Sequence, residues 1–322
     1  TVIANCKKIC INTYQCFKNL LYMEDLDMFM MKGVIPPVIT PFFENGEVDY
    51  DGVKKLTAYL KNEVDGMFIT GSYGSGALLS MEERKKITEV TIKEAGLKIP
   101  IVVHVGTADS KSAAELARHA MESGAAAVSA VGPYYYKHNP DSICAFYDQI
   151  LKATGGDFPV YVYNNPGFQG YLMDLKLLQR LKKLGVHGIK DATFDIMAHA
   201  NYMRTLKDDN FDIALGTEAM WLSACVLGCE AFIPGLGNAL PEICRQMYKE
   251  GMNREYDKLR ETQFKVNEIR DIMYLAKSTQ MAIYAMLEIR GILKAYPRSP
   301  FLPATDDEKA AIKTRLKQLD VL

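Results

Sequence analysis

Four short stretches of this chain hold the residue types that carbonyl chemistry uses. The first is Gly188-Ile189-Lys190-Asp191. In a strand with Ile189 facing the helices, Lys190 turns to the opposite face, towards the interior of the sheet. Burial lowers an ammonium's pKa towards the value an amine nucleophile needs, so the functional reading of Lys190 is a Schiff-base lysine. Taken alone, the string fits better a lysine paired with Asp191 at a strand end, or one that points outwards. The second stretch is Tyr163-Asn164-Asn165-Pro166. An inward phenol beside an amine is able to pass protons to the oxygen of a carbonyl carbon under attack; a core tyrosine with a hydrogen-bond partner is the plainer reading. The third, Gly71-Ser72-Tyr73-Gly74-Ser75-Gly76, is a turn whose backbone N–H groups are able to close on a carboxylate or phosphate. It has neither the lysine of a P-loop nor G-x-G-x-x-G spacing, and a turn that only needs positive φ is the alternative. The fourth, Tyr134-Tyr135-Tyr136, would equally serve as an aromatic patch at a subunit interface.

Other chemistries find less support. Cys225 and Cys229 lie four apart on a predicted helix, with no histidine or second cysteine pair at ligand spacing. The histidines at 104, 119, 138, 187 and 199 form no H-x-x-H element, so no metal is expected, and no cofactor motif is present. His119 and His199 read as surface or satisfied core residues, and Trp221 reads as packing. Lys plus Arg count 38 against 39 Asp plus Glu, a net charge of −1 that lacks the basic footprint of nucleic-acid binding. Hydrophobic residues at 48% and charged residues at 24% are the proportions of a soluble chain with a sizeable core. No run approaches about 18 apolar residues, so no membrane span is expected. Seven scattered cysteines read as reduced thiols of a cytoplasmic protein.

The elements that must position these stretches follow one rhythm from Gly33 onwards. Strands are predicted at Gly33–Thr40, Gly66–Thr70, Ile101–Val105, Ala126–Val131, Val160–Asn164, His187–Asp191, Asp212–Gly216 and Ala231–Pro234. Amphipathic helices are predicted between them at Tyr50–Asn62, Met81–Ala95, Lys111–Ser123, Pro140–Ala153, Asp174–Lys183, Met197–Leu206, Glu218–Leu227 and Pro241–Lys249. Even alternation, without a second strand series, favours a closed (β/α)8 TIM barrel over residues 32–250 rather than an open doubly wound sheet. Catalytic residues of such a barrel gather at the carboxyl ends of its strands. All four stretches fall there, with Gly216-Thr217-Glu218 after the seventh strand and Pro234-Gly235 after the eighth. Residues 251–322 predict a C-terminal helical extension, with helices at Arg254–Leu275, Met281–Ala295 and Asp307–Leu319. Residues 1–31 contain no Gly or Pro and hold three of the seven cysteines. They lack the continuous apolar region of a signal peptide and are expected to form an appendage outside the fold, or to precede a natural start near Met28–Met31.

Taken together and in this order, the motifs resemble the dihydrodipicolinate synthase / N-acetylneuraminate lyase family of pyruvate-dependent class I aldolases. Gly33–Phe42 is similar to the family's first strand, Gly71–Gly74 to its G-[TS]-T-G-E loop, Tyr163–Pro166 to Y-N-x-P, Gly188–Asp191 to G-I-K-D, and Tyr296–Pro303 to its tail. The combination reverses the reading of Lys190. The resemblance implies an imine between Lys190 and a 2-oxo acid, a proton relay through Tyr163, and a carboxylate held by Ser72 and the amides around Gly71, Tyr73 and Gly74. It further implies that Tyr135 crosses a tight dimer interface to complete the relay, in a homotetramer built from such dimers. The partners implied are pyruvate and an aldehyde, with no cofactor.

Departures from the family bear on substrate. Tyr73 stands where the family has threonine and Ser75 where it has glutamate. Phe168 takes the place of the arginine with which the synthases meet a carboxylate-bearing aldehyde. Gly235 takes the place of a lyase serine, while Glu218 is available to accept hydrogen bonds from hydroxyls. Gly216 and Pro234 complete the expected substrate wall. The expectation is reversible cleavage of a 2-oxo acid, a 2-keto-3-deoxy sugar acid or a sialic-acid-like compound, to pyruvate and an aldehyde. The alternatives are a 4-hydroxy-tetrahydrodipicolinate synthase, a 2-keto-3-deoxy acid dehydratase and a non-catalytic 2-oxo acid sensor.

Overall fold

The computed structural model describes residues 29–322. Eight short parallel strands alternate with helices. In chain order they are β1 (Gly33–Val34), α1 (Tyr50–Leu60), β2 (Met67–Ile69), α2 (Met81–Ala95), β3 (Ile101–His104), α3 (Ser110–Glu122), β4 (Ala127–Val131) and α4 (Pro140–Ala153). Then follow β5 (Val160–Asn164), the single turn α5 (Pro166–Gln169), α6 (Leu175–Leu184), β6 (Gly188–Asp191), α7 (Ile196–Leu206), β7 (Asp212–Leu215), α8 (Trp221–Val226), β8 (Ala231–Phe232) and α9 (Pro241–Met252). Three further helices close the chain: α10 (Tyr256–Met273), α11 (Thr279–Ile289) and α12 (Asp306–Gln318).

From β2 to β8 each strand pairs in parallel with its sequence neighbour, and β1 pairs with β8. The ring closes beyond β1, where Val38 N donates to Phe68 O at 2.8 Å and Phe68 N to Pro36 O at 3.0 Å. The fold is therefore a (β/α)8 barrel with C-terminal helices. Its first strand is shorter than the predicted Gly33–Thr40 because Pro36 and Pro37 have no N–H for the ladder. The helices start where the sequence supplies caps. Ser80 and Glu83 form a reciprocal capping box at α2, and the Asn139 side chain accepts from Ser142 N ahead of Pro140 at α4.

Alternation along the strands divides the core. Leu, Ile and Val side chains fill the layer between strands and helices, while Phe68, Val102, Ala127, Tyr161, Tyr163, Ala214, Ala231 and Ile233 fill the barrel itself. The alanines leave room for the rings of Phe68, Tyr161 and Tyr163. The expected boundary at residue 31 needs correcting at the barrel floor. Met31 is buried among these interior residues and Phe29 packs on them. Met31 N donates to the Asp212 carboxylate, and the Tyr161 hydroxyl donates to Phe29 O at 3.2 Å. Residues 29–31 thus belong to the fold; the remainder of the expected appendage, 1–28, lies outside the described residues. Among the described residues no helix is long and apolar enough to cross a membrane.

Candidate active site

Lys190 and Tyr163 are register partners on β6 and β5, so both enter the barrel at one height. Lys190 is only 3% exposed, and its Nζ lies 3.9 Å from the ring centroids of both Phe68 and Tyr163. Ring faces favour the cation, but burial opposes it and lowers the amine's pKa to about 7. Asp191 is on the opposite face of β6 and does not meet the amine. Its carboxylate accepts from Thr193 N and Oγ1 at 3.0 and 2.7 Å, and it pairs with His199 Nδ1 at 2.9 Å. Among the described residues Lys190 has no ion-pair partner. The plainer reading, a lysine salt-bridged to Asp191, does not hold.

The Tyr163 hydroxyl lies 3.4 Å from Ser72 Oγ and accepts from Asn165 Nδ2 at 3.3 Å. Burial raises the phenol's pKa, and these two hydrogen bonds only partly offset it, so Tyr163 holds its proton at neutral pH. His104 packs edge-on against the Tyr163 ring, centroids 5.9 Å apart. Its Nε2 accepts from Val131 N and its Nδ1 donates to Thr70 O. Burial, followed by Arg84 and Lys190, holds this imidazole neutral, and it serves as a brace.

The loop after β2 carries Ser72 to the site through a strained turn. Thr70 has φ +54°, a rare value for a β-branched residue. Its Oγ1 donates to Ile69 O and His104 O at 2.8 and 2.9 Å, which holds the turn in place. From above, α11 grips the same loop. Gln280 Nε2 donates to Tyr73 O and Ser75 Oγ, and the Tyr73 hydroxyl donates to Thr279 Oγ1 at 2.9 Å.

These residues face a cavity of about 360 Å³. Lys190, Tyr163, Ser72, Tyr73, Phe168, Gly216, Glu218 and Gly235 line it, as the sequence led one to expect. The space above Gly235, where a Cβ would sit, is already filled by the Tyr73 ring. At Gly216 a Cβ would press on Asp191 O and Ala192. Gly71 instead lines a neighbouring cavity of about 300 Å³ that shares Ser72 and Phe168. Gly74 and Pro234 are not in the wall. The Gly74 carbonyl accepts from Thr40 Oγ1 at 2.7 Å, and Pro234 leads into a one-turn helix at Gly235–Asn238. Tyr135 is 85% exposed at φ +80°, edge-on to Tyr136, and is not brought to Ser72 and Tyr163 within this chain.

The structure adds residues that the sequence did not announce. Arg270, Tyr274, Ser278, Thr279 and Gln280, all from the C-terminal helices and the turn between them, line the same cavity. Glu218, only 1% exposed, is bound by Arg270 and is not idle. Asn165, Thr217, Pro37 and Phe301 also line the cavity, and these lay in stretches already read from the sequence. Among the described residues no three His, Cys, Asp or Glu side chains gather in a way that would hold a metal ion.

A buried, partly neutral amine beside a protonated phenol at the carboxyl end of a closed barrel defines a Schiff-base lyase or aldolase. The model of the Dihydrodipicolinate synthetase family matches residues 30–319. The chain belongs to that family, whose members are pyruvate-dependent class I aldolases and lyases. It is 27% identical over 294 residues to the 4-hydroxy-tetrahydrodipicolinate synthase of Archaeoglobus fulgidus, covering 91% of this chain and all of that one. Among solved structures it resembles the sialic acid aldolase of Ruminococcus gnavus, in a catalytic lysine mutant, with a TM-score of 0.86 and 26% identity over 92% of this chain and 98% of that one. YagE of Escherichia coli K12, a dihydrodipicolinic acid synthase family protein in complex with pyruvate, superposes with a TM-score of 0.86 and 25% identity over 91% of this chain and all of that one.

Proposed function

We propose that this enzyme reversibly cleaves a 2-keto-3-deoxy sugar acid or a sialic-acid-like 2-oxo acid to pyruvate and a neutral, hydroxylated aldehyde. The observation that carries the reading is the Lys190 amine, buried beside the Tyr163–Ser72 hydroxyls with no ion-pair partner among the described residues. The amine attacks C2 of the 2-oxo acid, and the former ketone oxygen leaves as water after taking protons through Tyr163. The resulting iminium is an electron sink. The C4 hydroxyl gives its proton to the relay, the C3–C4 bond breaks, and its electron pair moves into the iminium as an enamine while the aldehyde departs. Protonation at C3 and hydrolysis return pyruvate and the free amine. Ser72 and the amides of the Gly71–Gly74 loop hold the carboxylate in this scheme. Tyr135, exposed on its own chain, completes the relay from a second copy in a tetramer of tight dimers.

A second reading, 4-hydroxy-tetrahydrodipicolinate synthase, is favoured by the names of the sequence relatives. Two features speak for the aldolase instead. Phe168 replaces the guanidinium that the family resemblance places opposite a carboxylate-bearing aldehyde, and the charge of Arg270 is already balanced by Glu218. A missing bidentate charge pair weakens binding by about 2–5 kcal/mol. With pyruvate as co-substrate, kcat/KM for glyceraldehyde should exceed that for aspartate semialdehyde. A tenfold or greater preference for aspartate semialdehyde establishes the synthase reading in its place.

A further inference from the structure

We infer that Arg270, carried by α10 outside the barrel, is a specificity-determining residue that together with Glu218 reads adjacent hydroxyls at the far end of the substrate chain. The inference rests on the aldolase reading and adds to it the group that recognises the aldehyde portion.

Arg270 Nη1 donates to Glu218 Oε1. Both residues line the cavity that contains Lys190, and both are largely withdrawn from solvent, with side chains 15% and 1% exposed. The pair is built with care. Gln263, two turns before Arg270 on the same face of α10, donates to Glu218 O at 3.0 Å and accepts from Leu222 N at 3.1 Å. One helix thus fixes both the backbone and the carboxylate of Glu218.

A buried ion pair contributes little net stability, because desolvation offsets its attraction. Its place in a cavity wall is explained by what it offers a ligand. A guanidinium has five N–H donors and a carboxylate about four acceptor sites, and their single contact engages one of each. A vicinal diol matches the remainder: one hydroxyl donates to the carboxylate while its neighbour accepts from the guanidinium. Thr279 extends the same wall, since its hydroxyl accepts from Tyr73 and has its own proton to give. The charges of Glu218 and Arg270 cancel. A distal carboxylate on the substrate would meet repulsion from Glu218 and a distal ammonium repulsion from Arg270, which leaves a neutral polyol as the favoured end group.

The test compares glyceraldehyde with propanal, which has the same carbon chain without hydroxyls, each condensed with pyruvate. Wild-type protein is expected to prefer glyceraldehyde at least tenfold in kcat/KM. Arg270→Gln and Glu218→Gln should each shrink that ratio at least threefold, chiefly through KM for glyceraldehyde. A smaller change in both variants overturns the inference. Should either single variant fail to fold because its partner charge is left buried, the double variant Glu218→Gln/Arg270→Gln keeps a neutral hydrogen-bonding pair and is held to the same threshold. Borohydride trapping of pyruvate on the wild-type protein separates the two levels. An adduct on Lys190 with unchanged ratios overturns only the role of Arg270, whereas no adduct overturns the aldolase reading and this inference with it.

Discussion

Lys190 shows how far burial alone can tune a side chain. An exposed lysine titrates near 10.5; here desolvation brings the amine to about 7, and no carboxylate among the described residues restores it. Imine formation uses the neutral amine. Below pH 7 the ammonium dominates, so kcat/KM for pyruvate should fall about tenfold per pH unit, and above pH 7 it should level off. A profile that is flat from pH 5.5 to 8.5 would contradict the assignment. Tyr163 is the second residue on which the proposed chemistry depends. Tyr163→Phe keeps the ring that packs on Phe68 and His104 but removes the hydroxyl near Ser72. Turnover should drop by roughly 10² to 10⁴, the usual worth of a positioned proton-transfer group, with the far-UV spectrum unchanged. A variant that retains near-wild-type turnover would make Tyr163 a packing residue.

At the scale of elements, β6 is held at its carboxyl end by α7. Asp191 O accepts from Gly216 N at 2.6 Å, and its carboxylate pairs with His199, fully buried on α7. Burial pushes the His199 imidazole down, yet the Asp191 hydrogen bond and the nearby Cys229 outweigh it and hold the pKa up at about 9. The folded value lies above the unfolded value of about 6.5. The charged imidazole therefore stabilises the fold in full below pH 6.5, and the contribution is lost as pH rises through 9. Its size is on the order of 3 kcal/mol. Thermal unfolding of wild type and His199→Asn between pH 6 and 10 is the measurement. The Tm gap between them should narrow across that window, and a gap independent of pH would remove the ion pair from the account.

The molecule as a whole depends on chain segments far from the barrel's own repeats. At the floor, Met31 fills the interior beneath Tyr161 and Asp212. Burial raises the Asp212 carboxyl to about 7, although the hydrogen bond from Met31 N opposes it. At the mouth, α10 and α11 supply Arg270, Thr279 and Gln280 to the cavity. Met31→Ala should cost about 2–5 kcal/mol, as truncating a buried methionine does, and so lower Tm by roughly 4–10 °C. An unchanged Tm would show that the floor closes without this residue.

The barrel was legible in the sequence because alternating strands and amphipathic helices are local patterns, each written within ten to fifteen residues. Lys190 and Tyr163 were legible as candidates for the same reason: they sit at strand ends, where the pleat dictates which face a side chain takes. Local pattern did not carry the partners. Asp191 could have paired with Lys190 or with His199, and only the packing of α7 behind β6 settled it. The helix predicted from Glu218 begins at Trp221, which leaves residues 216–220 as the loop that meets α10. Arg270 lies 52 residues from Glu218, on a helix whose own sequence gives no sign of a cavity. Periodicity reports which face of an element is buried, not what it is buried against. That second question is decided by long-range packing, and here it also decides which residues of α10 and α11 line the cavity.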